Sequence, residues 1–316
     1  MSIIKAKRGF TLVELLVVIA IIAILIALIT VAAGMMLDKA KSTKDMGNQR
    51  TLGQATFSHA TDHNGKLLHP RTGPEEPPSQ DSTQSQIDRM WVAAYGQDAN
   101  GDNRLVNQGG DYIEMKSALE EGAAFPYIGS VMAYQSPMDP TIGDVDEFEV
   151  GNSFTNDRIR SYSLNAFVGV EWGADDRTFY RDFPPLRLKF QGKAWRSTET
   201  LSQIPQPSET MCSIGEQDSW GRNGHGWLVF TRQDGAPIWV DFPAFWDGRN
   251  VNMSFVDGST GSITLESDLV EQKWLDHGHN YSPSLDGDDY EHMKDFQKLK
   301  KVILPGVEGI GSILDR

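Results

Sequence analysis

The chain has a single cysteine, Cys212, in 316 residues. No internal disulfide can form, so stability has to come from a buried core. Basic residues are also scarce, with 29 Lys and Arg against 43 Asp and Glu and a formal charge of −14. A nucleic-acid partner demands a basic face and is not expected for the body of the chain; an anionic lipid surface is no more expected as a partner of the body, on the same ground. Catalytic signatures are missing as well: there is no G-x-S-x-G, no P-loop and no dinucleotide fingerprint, and nothing around Cys212 cues reactivity. The chain therefore reads as a non-enzyme with no cofactor.

What the sequence does have is a long apolar run near its start. Leu15 to Ile29 is 15 consecutive apolar residues, and with Thr30 tolerated the apolar character continues to Leu37. Counted from Phe10 this is 28 residues, about 42 Å as a helix against about 30 Å of bilayer hydrocarbon. It is long enough to span. A secretory signal has a shorter apolar region, about 7 to 15 residues, so Ala32-Ala33-Gly34 is the less favoured reading as a cleavage site. Lys5, Lys7 and Arg8 precede the run and no basic residue follows until Lys39. The positive-inside rule then puts the N-terminus in the cytoplasm and Asp38 onward outside.

One residue is out of keeping. Glu14 places a carboxylate near the start of the run, and intramembrane carboxylates usually have a partner. No Lys or Arg lies within one turn C-terminal to it. A new α-amine at Phe10, created by cleavage after Gly9, would supply the cation.

These residues carry a resemblance. "KRGFTLVELLVVIAIIAIL" is similar to the processing and methylation segment of type IV prepilins and type II secretion pseudopilins, with its basic leader ending in Gly and its Phe-Thr-Leu-x-Glu. The resemblance implies that a prepilin peptidase cuts between Gly9 and Phe10 and methylates the Phe10 amine. It also implies that Glu14 faces the amine of a neighbouring subunit as N-terminal helices bundle into a filament. The rest of the chain resembles the layout of the large planctomycete-type pilin-like proteins with an H-x9-D-G signature, through "TLGQATFSHATDHNGKLL", "FPYIGSVMAYQSPMDP", "RSYSLNAFVG" and "WDGRNVNMSFVDGSTG". Two positions depart from that pattern: Asp247 stands where the histidine would be, and Ser136 where a cysteine is common.

The organisation expected is a leader over 1–9, a transmembrane helix over 10–37, a stalk helix over 38–62 and an exported globular domain with insertions over 63–316. Loss of the leader removes Lys5, Lys7 and Arg8, taking the charge to −17 and leaving 307 residues, which favours a minor or specialised subunit. No proline interrupts the segment from Leu37 to Asp62, and Leu52, Ala55 and His59 share the helical face expected to meet the domain. Asp62-His63-Asn64-Gly65 reads as the stop. "HPRTGPEEPPSQDSTQSQ", from His69, reads as an exposed loop. Ile87, Trp91 and Ala94 mark a short amphipathic helix, and Leu119 with Ala123 another ended by Pro126.

After Ser161 the texture is β, in "YSLNAFVGV", "TMCSIGE", "GWLVF" and "APIWVDF". In "NVNMSFVDGSTGSITL" the alternation of Val251, Met253 and Phe255 resumes at Ile263 and Leu265, so Asp257-Gly258 is expected to be a two-residue type I′ hairpin turn. A closing helix opens on Asp288, Asp289 and Glu291, ends on Lys298, Lys300 and Lys301, and places Met293, Phe296 and Leu299 on one face. The fold class expected is α+β: a long N-terminal transmembrane and stalk helix packed on an antiparallel sheet, the pilin-like arrangement.

Ligand signals are thin. His59 and His63 have an i, i+4 spacing that suits zinc, but no third ligand is evident and solvated stalk-end histidines are the favoured reading. Asp98, Asn100 and Asp102 alternate as in a calcium loop, yet the twelfth position is Gly109 and not Glu; calcium is only an alternative to a polar loop. No metal is expected. Seven of the eight tryptophans, Trp172 through Trp274, lie in the β-rich half. Core packing accounts for most, while exposed ones would stack on sugars, so a membrane-anchored glycan-binding or adhesin module is the rival function. The favoured function is a pilin or pseudopilin subunit of a type IV pilus or type II secretion filament. Its partners would be the peptidase, other such subunits and inner-membrane lipid.

Overall fold

The structure, a computed structural model, describes residues 11–70, 89–93, 116–140, 142, 160–169, 198–217, 226–227, 229–231, 237–239, 241–276 and 290–303. The chain divides into two units, Met1–Thr43 and Lys44–Arg316. Helix α1, Leu12–Asp62, contributes to both.

In the first unit the described residues are helix alone. Thr11 to Ala40 are all exposed, among them Ile24 at 62% and Leu28 at 64%. A helix apolar on every side has no polar face to offer water and needs lipid or other helices around it. By length and composition α1 is able to cross a membrane.

In the second unit the sequence of α1 changes character. Asp45, Asn48, Gln49, Leu52, Gly53, Ala55, Thr56, His59 and Ala60 are buried, a stripe at spacings of three and four. It includes Leu52, Ala55 and His59, the face expected from the spacing. Asn64 at φ 54° follows the helix, and the Gly65 N–H bonds the Ala60 carbonyl at 2.7 Å. This closes α1 in a Schellman-type cap over the stop residues.

The elements that follow are α2 (Lys116–Glu120), α3 (Phe125–Ile128), a 3₁₀ turn (Val131–Tyr134), β1 (Tyr162–Leu164), a second 3₁₀ turn (Leu201–Gln203) and β2 (Met211–Gln217). After them come β3 (Val229–Thr231), β4 (Pro237–Trp239), β5 (Phe242–Pro243), β6 (Asn250–Phe255), β7 (Thr260–Thr264), α4 (Leu269–Asp276) and α5 (Tyr290–Ile303). The main sheet runs β1-β2-β6-β7 with β5 also on β2, and β3 pairs β4 separately; every pairing is antiparallel. The protein is α+β, a long apolar N-terminal helix with an antiparallel sheet domain. Phe296, Leu299 and Ile303 seat α5 in the core, where the Phe296 ring meets Trp239 edge-on at 5.5 Å.

Several sequence expectations need correction. Residues 89–93 are not helical, while Ile87 and Ala94 lie outside the described residues: Met90 bridges His69 in parallel, and the Trp91 indole N–H reaches the Pro70 carbonyl at 3.0 Å. Long-range pairing overrides a local helical pattern there. Pro126 does not end a helix but opens α3, where a missing N–H costs nothing. His69 and Pro70 are buried and not part of an exposed loop; 71–86 lie outside the described residues.

The β6–β7 hairpin forms, but not through a two-residue turn. Ser254 pairs with Thr260 and the Phe255 N–H bonds Ser259 O at 2.9 Å, which leaves Val256, Asp257 and Gly258 as a three-residue loop. The Gly258 N–H closes the turn on Phe255 O at 2.9 Å, and Gly258 is at φ +83° while Asp257 is not in the positive region. The loop starts one residue early because Val256 is fully buried, with its N–H on Thr210 O at 3.0 Å. Asp257 instead accepts the Ser259 N–H at 2.9 Å and hydroxyl at 2.6 Å, an Asx turn.

Gly258 also meets α1. A Cβ on it would lie 3.2 Å from Gln54 Cγ, and one on Gly53 would lie 3.0 Å from Phe255 O and 3.3 Å from Gly258 Cα. Helix and turn touch through two glycines. Gly258→Val should therefore destabilise the protein by about 2 kcal/mol, because a β-branched residue resists positive φ and crowds the helix. The urea midpoint of the full chain in detergent micelles measures it; an unchanged midpoint contradicts the turn geometry.

Candidate functional site

The first candidate site is the start of α1. Thr11 and Glu14 form a reciprocal cap. Glu14 Oε2 accepts the Thr11 N–H and hydroxyl, each at 2.8 Å, and Thr11 Oγ1 accepts the Glu14 N–H at 3.3 Å. In this capping box Thr11 is the cap residue and Glu14 the N3 residue, and the helix dipole favours an anion there. Glu14 thus has a local role that sequence reasoning missed, although T-x-x-E ahead of an apolar run is its signature. Gly9 and Phe10 lie outside the described residues, as do Asp98, Asn100 and Asp102.

The second feature is a polar seam where α1 lies on the sheet. Asp45 Oδ1 accepts the Tyr162 hydroxyl at 2.7 Å, and its Oδ2 accepts Asn252 Nδ2 at 2.9 Å. One turn on, Gln49 Nε2 donates to Asn252 O at 3.3 Å and its Oε1 accepts from Ser213 Oγ at 2.5 Å; Ser213 in turn meets Ser254 Oγ at 2.5 Å. Asn48 Nδ2 donates to Gln135 O at 2.6 Å. Cys212 Sγ lies 3.2 Å from Thr56 Oγ1, and burial pushes its thiol up to about 11, so it stays protonated and inert. Burial, reinforced by the Asp45 carboxylate, likewise raises the Tyr162 phenol well above its usual range. The seam is a hydrogen-bonded joint between helix and sheet. It fixes the register of α1 on the sheet by hydrogen bonds that no shifted register would satisfy.

The signature-like positions are structural as well. Asp247, in the histidine slot, forms a bridge with Asn250, whose N–H bonds Asp247 O at 3.1 Å. Ser136 is buried; its N–H donates to Ser161 Oγ at 2.9 Å and its Oγ accepts the Met138 N–H at 3.2 Å. A hydroxyl here organises the loop.

His59 is not solvated. It is 1% exposed, beneath His63, with Nδ1 3.1 Å from Lys66 O and the Tyr127 ring edge-on at 5.9 Å. Burial, helped by His63, depresses its pKa to about 4. The folded state binds fewer protons than an unfolded chain titrating near pH 6.5, so the stabilisation is complete above pH 6.5 and is lost as pH falls toward 4. Urea unfolding at pH 7 and 4.5 should show a loss of about 2 kcal/mol that His59→Gln lacks. Equal losses in the two proteins would contradict it.

Among the described residues no three His, Cys, Asp or Glu side chains gather as a metal site. Trp91, Trp227, Trp239 and Trp274 are at most 2% exposed, so none of them offers a face to a sugar, while Trp246 is half-buried; Trp172, Trp195 and Trp220 lie outside the described residues.

No curated protein and no solved structure matches the chain. Residues 4–30 match the family described as the prokaryotic N-terminal methylation motif, which enfolds Gly9, Phe10 and Glu14 and relates this N-terminus to pilin- and pseudopilin-type proteins.

Proposed function

We infer that the protein is a pilin- or pseudopilin-type subunit. It enters the cytoplasmic membrane through residues 10–37 with its N-terminus inside, loses residues 1–9 to prepilin peptidase and is methylated at Phe10. Its body, 63–316 beyond a stalk over 38–62, lies in the periplasm or outside the cell. Assembly with like subunits then runs through the N-terminal helix. The observation that carries this reading is the methylation motif over 4–30, joined to a helix exposed on every side from Leu12 to Ala40. Such a helix is covered by lipid before assembly and by other helices after it.

The planctomycete-type H-x9-D-G layout is part of the same reading. It draws support from Asp257 and Gly258, whose turn has a physical need for both residues: a side-chain acceptor for Ser259 and a positive φ against α1. An adhesin reading has less support, since four of the five described tryptophans are buried and only Trp246 is partly exposed.

Intact-mass analysis of the protein from membranes of a host with prepilin peptidase tests the processing step. The expected product begins at methylated Phe10. An uncut chain, or one cut after Ala33, would overturn the proposal.

A further inference from the structure

One edge of the main sheet is left open. At the other end β1 is followed by Trp227, whose N–H bonds Leu164 O at 2.8 Å, whereas among the described residues β7 pairs with β6 alone. The register fixes where each backbone group of β7 points. The Leu265 N–H donates to Arg249 O at 2.8 Å and the Phe255 N–H to Ser259 O at 2.9 Å, and the pairing between them runs unshifted from Asn250–Thr264 to Ser254–Thr260. Hydrogen-bonded and non-bonded pairs alternate in an antiparallel ladder, so Gly261 and Ile263 turn their backbone groups toward β6 while Thr260, Ser262 and Thr264 turn theirs outward. Thr264 O accepts Lys298 Nζ at 2.8 Å. The N–H and C=O of Thr260 and Ser262, and the Thr264 N–H, make no hydrogen bond to any described residue.

Sheet edges are ordinarily guarded by charged side chains, proline, a bulge or a covering element. β7 carries no charge and no proline, its register has no bulge, and Ser262 and Thr264 are exposed. Residues 259–265 form an uncharged strip in a chain of formal charge −14. Like charges set face to face oppose association, so two copies of so acidic a chain approach at least cost along a neutral strip.

We propose that β7 pairs antiparallel with β7 of a second copy, joining two main sheets across a two-fold axis at Ser262. The symmetry sets Ser262 opposite the partner's Ser262 and Thr260 opposite the partner's Thr264. Outward groups then meet outward groups and satisfy one another, and Thr264 O keeps a second lone pair beside Lys298. Small neutral hydroxyls meet on one face of the joined sheet. On the other, the half-buried Ile263 lies beside the partner's Gly261, where no side chain competes for the space. The ends are complementary in charge. Lys298, 2.6 Å from Glu266, comes to the turn that holds the partner's Asp257, and Asp257 uses only Oδ1 for its bonds to Ser259. A five-residue ladder is small, so the pairing is weak and reversible and gains from copies concentrated in one membrane. It uses the body of the chain and does not rest on processing or filament assembly.

Disulfide trapping catches a weak pairing. Ser262→Cys puts one thiol on the two-fold axis, where opposed Cα atoms lie about 5.5 Å apart, within the span of a disulfide. Membranes holding the full chain are oxidised before extraction, and the products are separated without reductant. Cys212 stays in every sample, buried and with its thiol protonated. Thr61→Cys, exposed on α1, reports random collision. Ser262→Cys should form a covalent homodimer about tenfold faster than Thr61→Cys, because only it sits on the paired edge. Adding Thr260→Pro removes one outward N–H and no bond to β6, and should cut the dimer about tenfold at an unchanged urea midpoint. Thr260→Lys leaves the backbone alone, sets a charge against the partner's Lys298 and should cut it likewise. Equal rates for the two cysteine variants, a Ser262→Cys chain trapped only on a different protein, or a dimer unmoved by both Thr260 variants would overturn the proposal.

Discussion

Asp45→Ala should lower the stability of the folded domain by about 3 kcal/mol, since it removes the acceptor from two buried donors at once. Tyr162 is fully buried and Asn252 is 8% exposed, so water does not readily replace the lost carboxylate. Each stranded donor costs about 1–3 kcal/mol, and the saved desolvation of the carboxylate returns only part of it. Asp45→Asn should cost less. It keeps an oxygen for one donor but turns an amide toward the other. Tyr162→Phe removes one bond from the donor side, so combining it with Asp45→Ala should be less than additive by at least about 0.5 kcal/mol. Urea unfolding followed by tryptophan fluorescence measures the native protein and all four variants. An Asp45→Ala midpoint shift worth less than about 0.5 kcal/mol, with unchanged slope, would show that the seam contributes little.

The second large effect concerns Glu14. Glu14→Leu should insert into the membrane at least as well as the native chain, because it removes a charge that costs up to about 3 kcal/mol at the bilayer centre. It should nevertheless be missing from the filament fraction. The capping box complicates that variant, since leucine also removes the bond that Oε2 makes to the Thr11 N–H. Glu14→Gln separates the two roles. Glutamine keeps the cap, as S/T-x-x-E/Q allows either residue, and loses only the charge. If the carboxylate serves a neighbouring subunit's ammonium in low dielectric, Glu14→Gln should be cleaved and inserted normally but assemble nearly as badly as Glu14→Leu. Recovery of Glu14→Gln at the native level in sedimented filaments, with Glu14→Leu absent, would assign Glu14 to capping alone.

Parts of the fold where one strong local signal decides the outcome were legible in the sequence. The unbroken apolar run gives α1, alternation on either side of an Asp-Gly gives the β6–β7 hairpin, and the acidic-to-basic gradient with Phe296 and Leu299 gives α5. Legibility ended where a distant partner decides. The Asp-Gly signal marks a turn but does not count its residues, and the burial of Val256, with its N–H on Thr210 O, lengthens the loop by one. Trp91 has helical spacing with its neighbours, but the bridge from Met90 to His69 holds this segment extended. The seam was hidden for a different reason. Asp45, Asn48 and Gln49 read as solvent-facing on any polarity scale, and only Gln135, Tyr162, Ser213 and Asn252, 87 residues or more away in sequence, turn them inward. Their spacing was the available clue: they extend the Leu52, Ala55 and His59 stripe backward by two turns.

At the N-terminus the processing motif was legible because it is a local sequence recognised by another protein, whereas the Thr11 cap on Glu14 needed geometry to be seen. The claim that organises both is that the exposed apolar helix finds other helices. A photo-crosslinking residue placed at Ile24, 62% exposed in the structure, measures this directly in living cells. The account predicts a ladder of adducts between this chain and itself or other pilin-type chains that disappears when Glu14→Gln is added. A chain that yields no adduct, or the same ladder with and without the Glu14 charge, would contradict it.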